Sequence, residues 1–97
     1  MPKVTIHFEG MLQYSIGCSA LEIVSDQRVT FREAVQLAAE QTGKKLLPYI
    51  ADPGNGEILP WIVIFVNREN IRHLQGWNTL LDEKDEITIM RADMAGG

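Results

Sequence analysis

The chain has 97 residues, which is enough for one domain with a single modest core. Thirteen acidic and nine basic side chains give a net charge of −4, which argues against a nucleic-acid partner and fits a partner with a basic groove. A single cysteine excludes a disulfide framework and a cysteine-based metal site, and no apolar run is long enough to cross a bilayer. The N-terminal residues lack the apolar core of a signal peptide, so we expect a cytoplasmic protein without membrane contact.

Alternating apolar residues near the N-terminus predict a β-hairpin. Apolar side chains at every second position define a first strand over 3–9, and a similar run over 20–25 predicts its antiparallel partner. The intervening residues 11–17 fit no single period, and we interpret them as a short turn. Three apolar side chains of this turn are expected to point inward: Leu12, Tyr14 and Ile16.

One amphipathic helix follows the hairpin. Thr30 and Glu33 have the spacing of a capping box, in which each side chain accepts a hydrogen bond from the other residue's backbone N–H. Apolar residues then recur at helical spacing, and Gly43 stands where a helix commonly ends. The sequence therefore predicts a helix over 31–42, the most securely defined element of the chain.

The second half predicts a loop followed by strands. Residues 48–60 contain many turn formers and no period, so we expect a mobile loop. Residues 61–66 are apolar throughout, which predicts a strand covered on both faces. A short strand over 71–74 and a polar turn over 82–85 precede the last alternating strand, over 86–91. These elements predict an α+β body over 1–91, with a mixed sheet packed on one main helix.

An arm without any pattern, over 92–97, ends in Ala95-Gly96-Gly97. Because glycine has no Cβ, a glycine pair can lie extended in a channel too narrow for other residues. It also places a carboxylate at the tip of a thin, flexible arm, which suits a carboxylate that is itself a substrate. Taken alone, such a pair is more often a frayed terminus without a role.

The C-terminal third contains four short motifs in a fixed order: a strand ending in Val66-Asn67, the segment Leu74-Gln75-Gly76, the turn Leu81-Asp82-Glu83-Lys84-Asp85-Glu86 and the glycine pair. In this order the motifs resemble those of the MoaD/ThiS group of β-grasp sulfur carriers. The hairpin and helix precede them in the same order, so the resemblance covers nearly the whole chain and implies a ubiquitin-like β-grasp fold. One departure is Arg91-Ala92-Asp93, where many members carry prolines.

The resemblance implies that Gly97 carries the chemistry. An adenylyltransferase related to ubiquitin-activating enzymes would use ATP and magnesium to form an acyl-adenylate at Gly97, and a rhodanese or cysteine desulfurase would supply the sulfur of a thiocarboxylate. Gly96 would let the arm thread, Met94 and Ala95 would contact the mouth of the partner's channel, and the open sheet face would dock. The chain would bind no cofactor and would not itself be an enzyme, although it could be the small subunit of a sulfur-transferring synthase.

Other functions stay open at this point. A ubiquitin-like modifier would form isopeptide bonds to lysines through Gly97, and a non-covalent interaction domain would not use its tail. The sulfur-accepting synthase is open among those for molybdopterin, cysteine, thiazole, thiolated tRNA and a secondary metabolite, with molybdopterin slightly favoured by the length of the 48–60 loop. The acidic residues over 82–86 are interpreted as a solvated turn rather than a partner contact.

The remaining chemistry-bearing residues favour structural roles. His7 and His73 are isolated in the sequence, and Cys18 has no histidine nearby, so we interpret all three as surface or packing residues. Trp61 is interpreted as a packing residue of the core or a loop, whereas Trp77 fits packing and partner contact equally. The sequence shows no paired constellation of the kind that an active site needs.

Overall fold

Five strands form one mixed sheet in the computed structural model, which describes residues 3–92. The strands are β1 (Lys3–Phe8), β2 (Ala20–Val24), β3 (Ile62–Val66), β4 (Glu69–Asn70) and β5 (Glu86–Arg91). Their order is β2-β1-β5-β3-β4, with β1 and β5 parallel and all other neighbours antiparallel. The predicted N-terminal hairpin and last strand are therefore confirmed, and the first and last strands of the chain pair at the centre of the sheet.

The described residues also contain three α-helices: α1 (Met11–Ile16), α2 (Phe31–Thr42) and α3 (Leu47–Ile50). The main helix, α2, begins and ends where the sequence predicts. The Thr30 hydroxyl accepts from the N–H of Glu33 at 3.2 Å, while the N–H of Thr30 donates to the Glu33 carboxylate at 2.8 Å. Gly43, at φ 77°, ends the helix in the left-handed region that glycine adopts without strain.

The core lies between α2 and one face of the sheet. Alternate residues of the long strands point towards the helix, as the pleat of a β-strand requires. The large side chains that are fully buried are Ile6, Phe8, Ile23, Phe31, Leu46, Ile50, Ile62, Ile64, Ile71, Leu81, Ile87 and Ile89. This α+β layering of a mixed sheet on one main helix is the arrangement that the sequence predicts. No helix within residues 3–92 is long and apolar enough to cross a membrane.

Several short helical segments are not apparent from the sequence pattern. Residues 11–16 form α1 rather than a turn, with Leu12 and Ile16 buried as expected. Tyr14, which we expected to point inward, is 80% exposed because a helix turns the side chain two positions after Leu12 to its opposite surface. The short strand expected after residue 70 is instead a 3-10 helix, Ile71–His73.

The segment that we expected to be a plain loop contains local structure. Its beginning forms α3, and a β-bridge then pairs Ala51 with Ile58. The N–H of Leu59 also donates to the carbonyl oxygen of Ile50 at 2.9 Å, so both ends of the segment are joined. A four-residue helix is too short to produce a readable hydrophobic period, which is why the turn formers dominated the sequence pattern.

The apolar strand β3 is buried on one face only, so the prediction of cover on both faces is wrong. Ile62, Ile64 and Val66 face the core, whereas Val63 and Phe65 are half-buried on the face that carries no helix. β3 also lies beside the short edge strand β4, and β5 occupies the centre of the sheet instead. The continuous apolar run thus needs another explanation for its outward-facing half.

Candidate functional site: the open sheet face and the root of the arm

The central strand β5 leads directly to the predicted arm. Beyond Arg91, the N–H of Ala92 donates to the carbonyl oxygen of Trp61 at 2.8 Å, which extends the pairing of β5 with the β3 side by one bond. The arm therefore starts beside Trp61, at one end of the sheet. Four predicted site residues lie outside the described part of the chain, and their roles stay predictions: Met94, Ala95, Gly96 and Gly97.

An apolar strip runs along the open face to this root. Val63 lies opposite Met90 in the antiparallel ladder, and Phe65 follows on the same face. Trp61 immediately precedes β3 in a turn, and continuing the alternation of β3 back by one residue places it on that face as well, one step closer to Ala92. We call these four residues the arm-side patch: Trp61, Val63, Phe65 and Met90. Three of them are half-buried, and Trp61 is 45% exposed.

The opposite half of the open face is polar. His7 Nε2 lies 2.7 Å from Glu86 Oε1, and Lys3 Nζ lies 3.6 Å from Glu22 Oε2. These residues are well exposed, so both pairs contribute little to stability. His7 is isolated in the sequence but has a partner in the fold, because the parallel pairing of β1 with β5 brings together residues 79 positions apart; this surface pair is compatible with its interpretation as a surface residue. Val24 is an exposed apolar residue in this half, and the continuous apolar strip lies on the side of β3 and β5.

The two tryptophans have different environments. Trp77 packs against the Phe31 ring at a centroid distance of 5.3 Å, lies under the Arg32 guanidinium at 5.2 Å and donates its indole N–H to the Gly56 carbonyl at 3.1 Å. Its role in packing is therefore clear. Trp61 lies outside the buried core and is 45% exposed, and no ring contact or side-chain hydrogen bond holds its indole within residues 3–92, so packing accounts for only part of its surface.

The motifs that carry the family resemblance hold the start of β5 in place. Asn67 has φ 57°, a left-handed conformation that asparagine tolerates better than most residues. Its Nδ2 donates to Asp85 Oδ1 at 3.1 Å, and its Oδ1 accepts from the N–H of Glu86 at 3.1 Å. The other oxygen of Asp85 accepts from the N–H of Asp82 at 2.8 Å. The motif residues thus form a clamp between two turns rather than a reactive site.

The acidic turn also has an internal partner. Arg28 Nη2 lies 2.7 Å from Asp82 Oδ1, and Arg28 Nε donates to the carbonyl oxygen of Leu81 at 3.4 Å. Two carboxylates of the turn, those of Asp82 and Asp85, are therefore engaged within the chain. This agrees with the interpretation of residues 82–86 as a solvated turn.

No second constellation with evident chemistry occurs in the described part of the chain. Cys18 is half-buried against the core, in keeping with its interpretation as a packing residue, and His73 is exposed on its own 3-10 helix. Residues 3–92 contain no group of three His, Cys, Asp or Glu side chains that could hold a metal ion. The candidate functional surface of the described residues is therefore the arm-side patch together with the root of the arm.

Sequence comparisons identify the relatives of this chain. A family model described as the ThiS family matches residues 17–97. A candidate sulfur carrier protein of Archaeoglobus fulgidus is 35% identical over 86 residues, which cover 89% of this chain and 93% of that protein. The residues matched by the family model therefore include the main helix, the strands after it and the arm.

Solved structures give the same picture of the fold. Small archaeal modifier protein 1 of Methanosarcina acetivorans is 26% identical, with a TM-score of 0.71 and coverage of 94% of this chain and 93% of the other. CysO of Mycobacterium tuberculosis is 25% identical, with a TM-score of 0.72 and coverage of 92% and 98%. Both are ubiquitin-like β-grasp proteins, so the predicted β-grasp fold is confirmed.

Proposed function

Because the chain belongs to the ThiS family of sulfur carriers, and is accordingly a carrier protein rather than an enzyme, we propose that it carries sulfur as a thiocarboxylate on Gly97. The family match extends through residue 97, and this observation carries the assignment to the arm. The geometry of the body supports it, since the central strand of the sheet leads the chain out beside an exposed apolar patch.

The chemistry begins with activation of the Gly97 carboxylate, since a carboxylate lacks a good leaving group. Its oxygen attacks the α-phosphorus of ATP bound with magnesium in the partner adenylyltransferase, which releases pyrophosphate and forms an acyl-adenylate. A persulfide from a rhodanese or cysteine desulfurase then attacks the acyl carbon and expels AMP. A thiol reductant cleaves the resulting sulfur–sulfur bond and leaves the thiocarboxylate on Gly97.

The body supplies binding, and the arm supplies the reacting atom. A thiocarboxylate is a soft nucleophile that stays tethered, so sulfur reaches the accepting synthase without release as free sulfide. The arm-side patch is the part of the open face that we assign to docking, because exposed apolar surface beside a functional segment marks interaction sites. ATP and magnesium belong to the partner's site, and this chain contributes no ligand to them.

The sulfur acceptor that we favour is the large subunit of a molybdopterin synthase. The 48–60 segment gives this choice slight support, since its length resembles that of MoaD, of the CysO type and of ubiquitin-related modifiers more than that of the shorter ThiS proteins. Reconstitution separates the acceptors: the thiocarboxylate form should lose its sulfur with a molybdopterin synthase large subunit and its substrate. If the thiocarboxylate form instead lost its sulfur to a cysteine synthase or a thiazole synthase, the favoured acceptor would be wrong. The carrier function itself would still hold.

A protein modifier is the second candidate function. It is supported by the similarity to small archaeal modifier protein 1, at 26% identity over nearly the full length of both chains. In that function a lysine amine, instead of a persulfide, attacks the acyl carbon of the Gly97 acyl-adenylate and expels AMP, which forms an isopeptide bond. Lysine-linked adducts detected by mass spectrometry would favour the modifier function over the carrier function.

Removal of Gly96 and Gly97 tests the proposal directly. With an adenylyltransferase, ATP, magnesium, a persulfide donor and a thiol reductant, the intact mass of the full chain should rise by the exchange of one oxygen for one sulfur. The shortened chain should show no such change. Its free energy of unfolding should stay within about 0.5 kcal/mol of the full chain, since terminal residues beyond the last strand contribute little to stability.

A matched control keeps this result specific. The variant Leu80→Ala alters an exposed side chain outside the arm-side patch and should gain sulfur at the rate of the unaltered protein. Sulfur loading of the shortened chain to the same extent would refute the assignment to Gly97.

A further inference from the structure

Trp61 is an exposed aromatic residue on an unusually well-anchored backbone. Arg72 donates from Nη1 to the carbonyl oxygen of Ile62 and from Nη2 to that of Leu59, both at 2.7 Å. The carbonyl oxygen of Trp61 itself accepts from Ala92 at 2.8 Å. Hydrogen bonds thus hold the backbone before, at and after Trp61, although the Trp61 side chain is 45% exposed.

This combination is typical of an anchor for a binding partner. Tryptophan is enriched among the residues that dominate interface energies, and an exposed indole gains by burial in an apolar recess. No group among residues 3–92 accepts the Trp61 indole N–H, so this donor is available to a partner. A backbone that is already fixed lowers the entropic cost of ordering the anchor on binding.

The length of the arm determines which partner surface meets Trp61. Five residues, 93–97, separate Ala92 from the carboxyl carbon of Gly97. Fully extended, they span at most about 18 Å. ATP sites are concave, so the reacting carboxylate must enter the partner while the body stays outside. A short arm therefore forces the residues at its root against the rim of that entrance.

From these observations we propose that Trp61 is the anchor by which this protein docks on its acyl-adenylating partner. The partner's rim provides an apolar recess for the indole, with a hydrogen-bond acceptor for its N–H. Val63 and Met90 extend the contact along the arm-side patch. Arg72 is a positioning residue, since it acts through the backbone that carries Trp61. This inference rests on the proposed activation of Gly97.

The test compares Trp61→Ala with Leu80→Ala, whose side chain is similarly exposed at 48%. In ATP–pyrophosphate exchange with the adenylyltransferase, Trp61→Ala should raise the KM for the carrier about 30-fold and leave kcat nearly unchanged, the loss expected for an interface hot spot. Leu80→Ala should match the unaltered protein. Trp61→Phe should lie between them, because it keeps an aromatic ring and loses the N–H.

A binding measurement excludes a merely structural role for Trp61. In a Trp77→Phe background, Trp61 is the remaining tryptophan, so its fluorescence should shift to shorter wavelength when the adenylyltransferase is added. Arg72→Met should weaken binding when the stability of the variant is confirmed by urea denaturation, and Arg72→Lys should restore it only in part. An unshifted spectrum at saturating partner would overturn the proposal.

The outcomes separate this inference from the function on which it rests. If the unaltered protein supports no pyrophosphate exchange, the proposed activation of Gly97 fails. If the unaltered protein supports exchange and Trp61→Ala has the same KM, only the role of Trp61 as an anchor fails.

Loss of sulfur delivery with normal adenylation would assign Trp61 to the sulfur-accepting synthase instead. A dimer in sedimentation that Trp61→Ala converts to a monomer would assign it to a second copy of the chain. Either result overturns the proposal.

Discussion

Individual residues of the family motif act through backbone geometry. Asn67 occupies the left-handed region and connects the turn after β3 with the turn before β5 through two hydrogen bonds. Few side chains combine tolerance of this conformation with a donor and an acceptor on a short stem. The motif could be recognised in the sequence, but the fact that Asn67 meets Asp85 depends on the pairing of β3 with β5.

Replacement of Asn67 should separate its two contributions. Asn67→Ala loses both hydrogen bonds and keeps the unfavourable φ, so we expect a loss of about 3 kcal/mol in the free energy of unfolding. Asn67→Gly loses the same bonds but accepts the conformation, so its loss should be smaller by about 1 kcal/mol.

Urea denaturation measures both values, and Arg68→Ala, at the exposed neighbouring position, should change stability by less than about 0.5 kcal/mol. Equal losses for the alanine and glycine variants would show that the left-handed conformation at residue 67 has no effect on the free energy of unfolding.

The helices and strands differ in how accurately the local sequence predicts them. α2 was predicted to the residue because its capping box, apolar period and terminal glycine all lie within its own span. The faces of β3 could not be predicted, since every residue from 61 to 66 is apolar and alternation alone decides which ones point to the core. The apolar outer residues of β3 are explained by an exposed patch rather than by a second layer of structure.

The two faces of β3 should respond differently to truncation. Ile64→Ala creates a cavity in the core and should lower the free energy of unfolding by about 3 kcal/mol. Val63→Ala removes a half-buried side chain of the open face and should cost about 1 kcal/mol or less.

Affinity for the adenylyltransferase should show the reverse order, because Val63 belongs to the arm-side patch and Ile64 does not. Thermal or urea unfolding together with a binding titration at a temperature where both variants are folded checks this prediction. A larger loss of affinity for Ile64→Ala would contradict the assignment of the faces.

At the scale of the whole molecule, the topology separates the chain ends. Because β1 and β5 run parallel at the centre of the sheet, the chain enters at one end of the sheet and the arm leaves from the other. The arm therefore starts beside Trp61, away from the acidic turn and its clamp. The sequence predicted the arm, but the residues that surround its root follow from strand order, which no local pattern contains.

The net charge of −4 predicts how the whole molecule meets its partner. If the adenylyltransferase presents a basic groove, long-range attraction should speed encounter, and the association rate should fall several-fold as salt rises from low to physiological ionic strength and beyond. The dissociation rate should change little with salt, because the contact that holds the complex is apolar. Stopped-flow fluorescence measures both rates.

Comparison with Trp61→Ala separates steering from anchoring. This variant keeps the net charge, so its association rate should show the same salt dependence, while its dissociation rate should rise by about the factor seen in KM. A salt dependence that disappears in Trp61→Ala would mean that the apolar anchor, rather than net charge, controls the encounter. An association rate that is independent of salt in the unaltered protein would exclude a basic docking groove and leave the apolar patch as the basis of recognition.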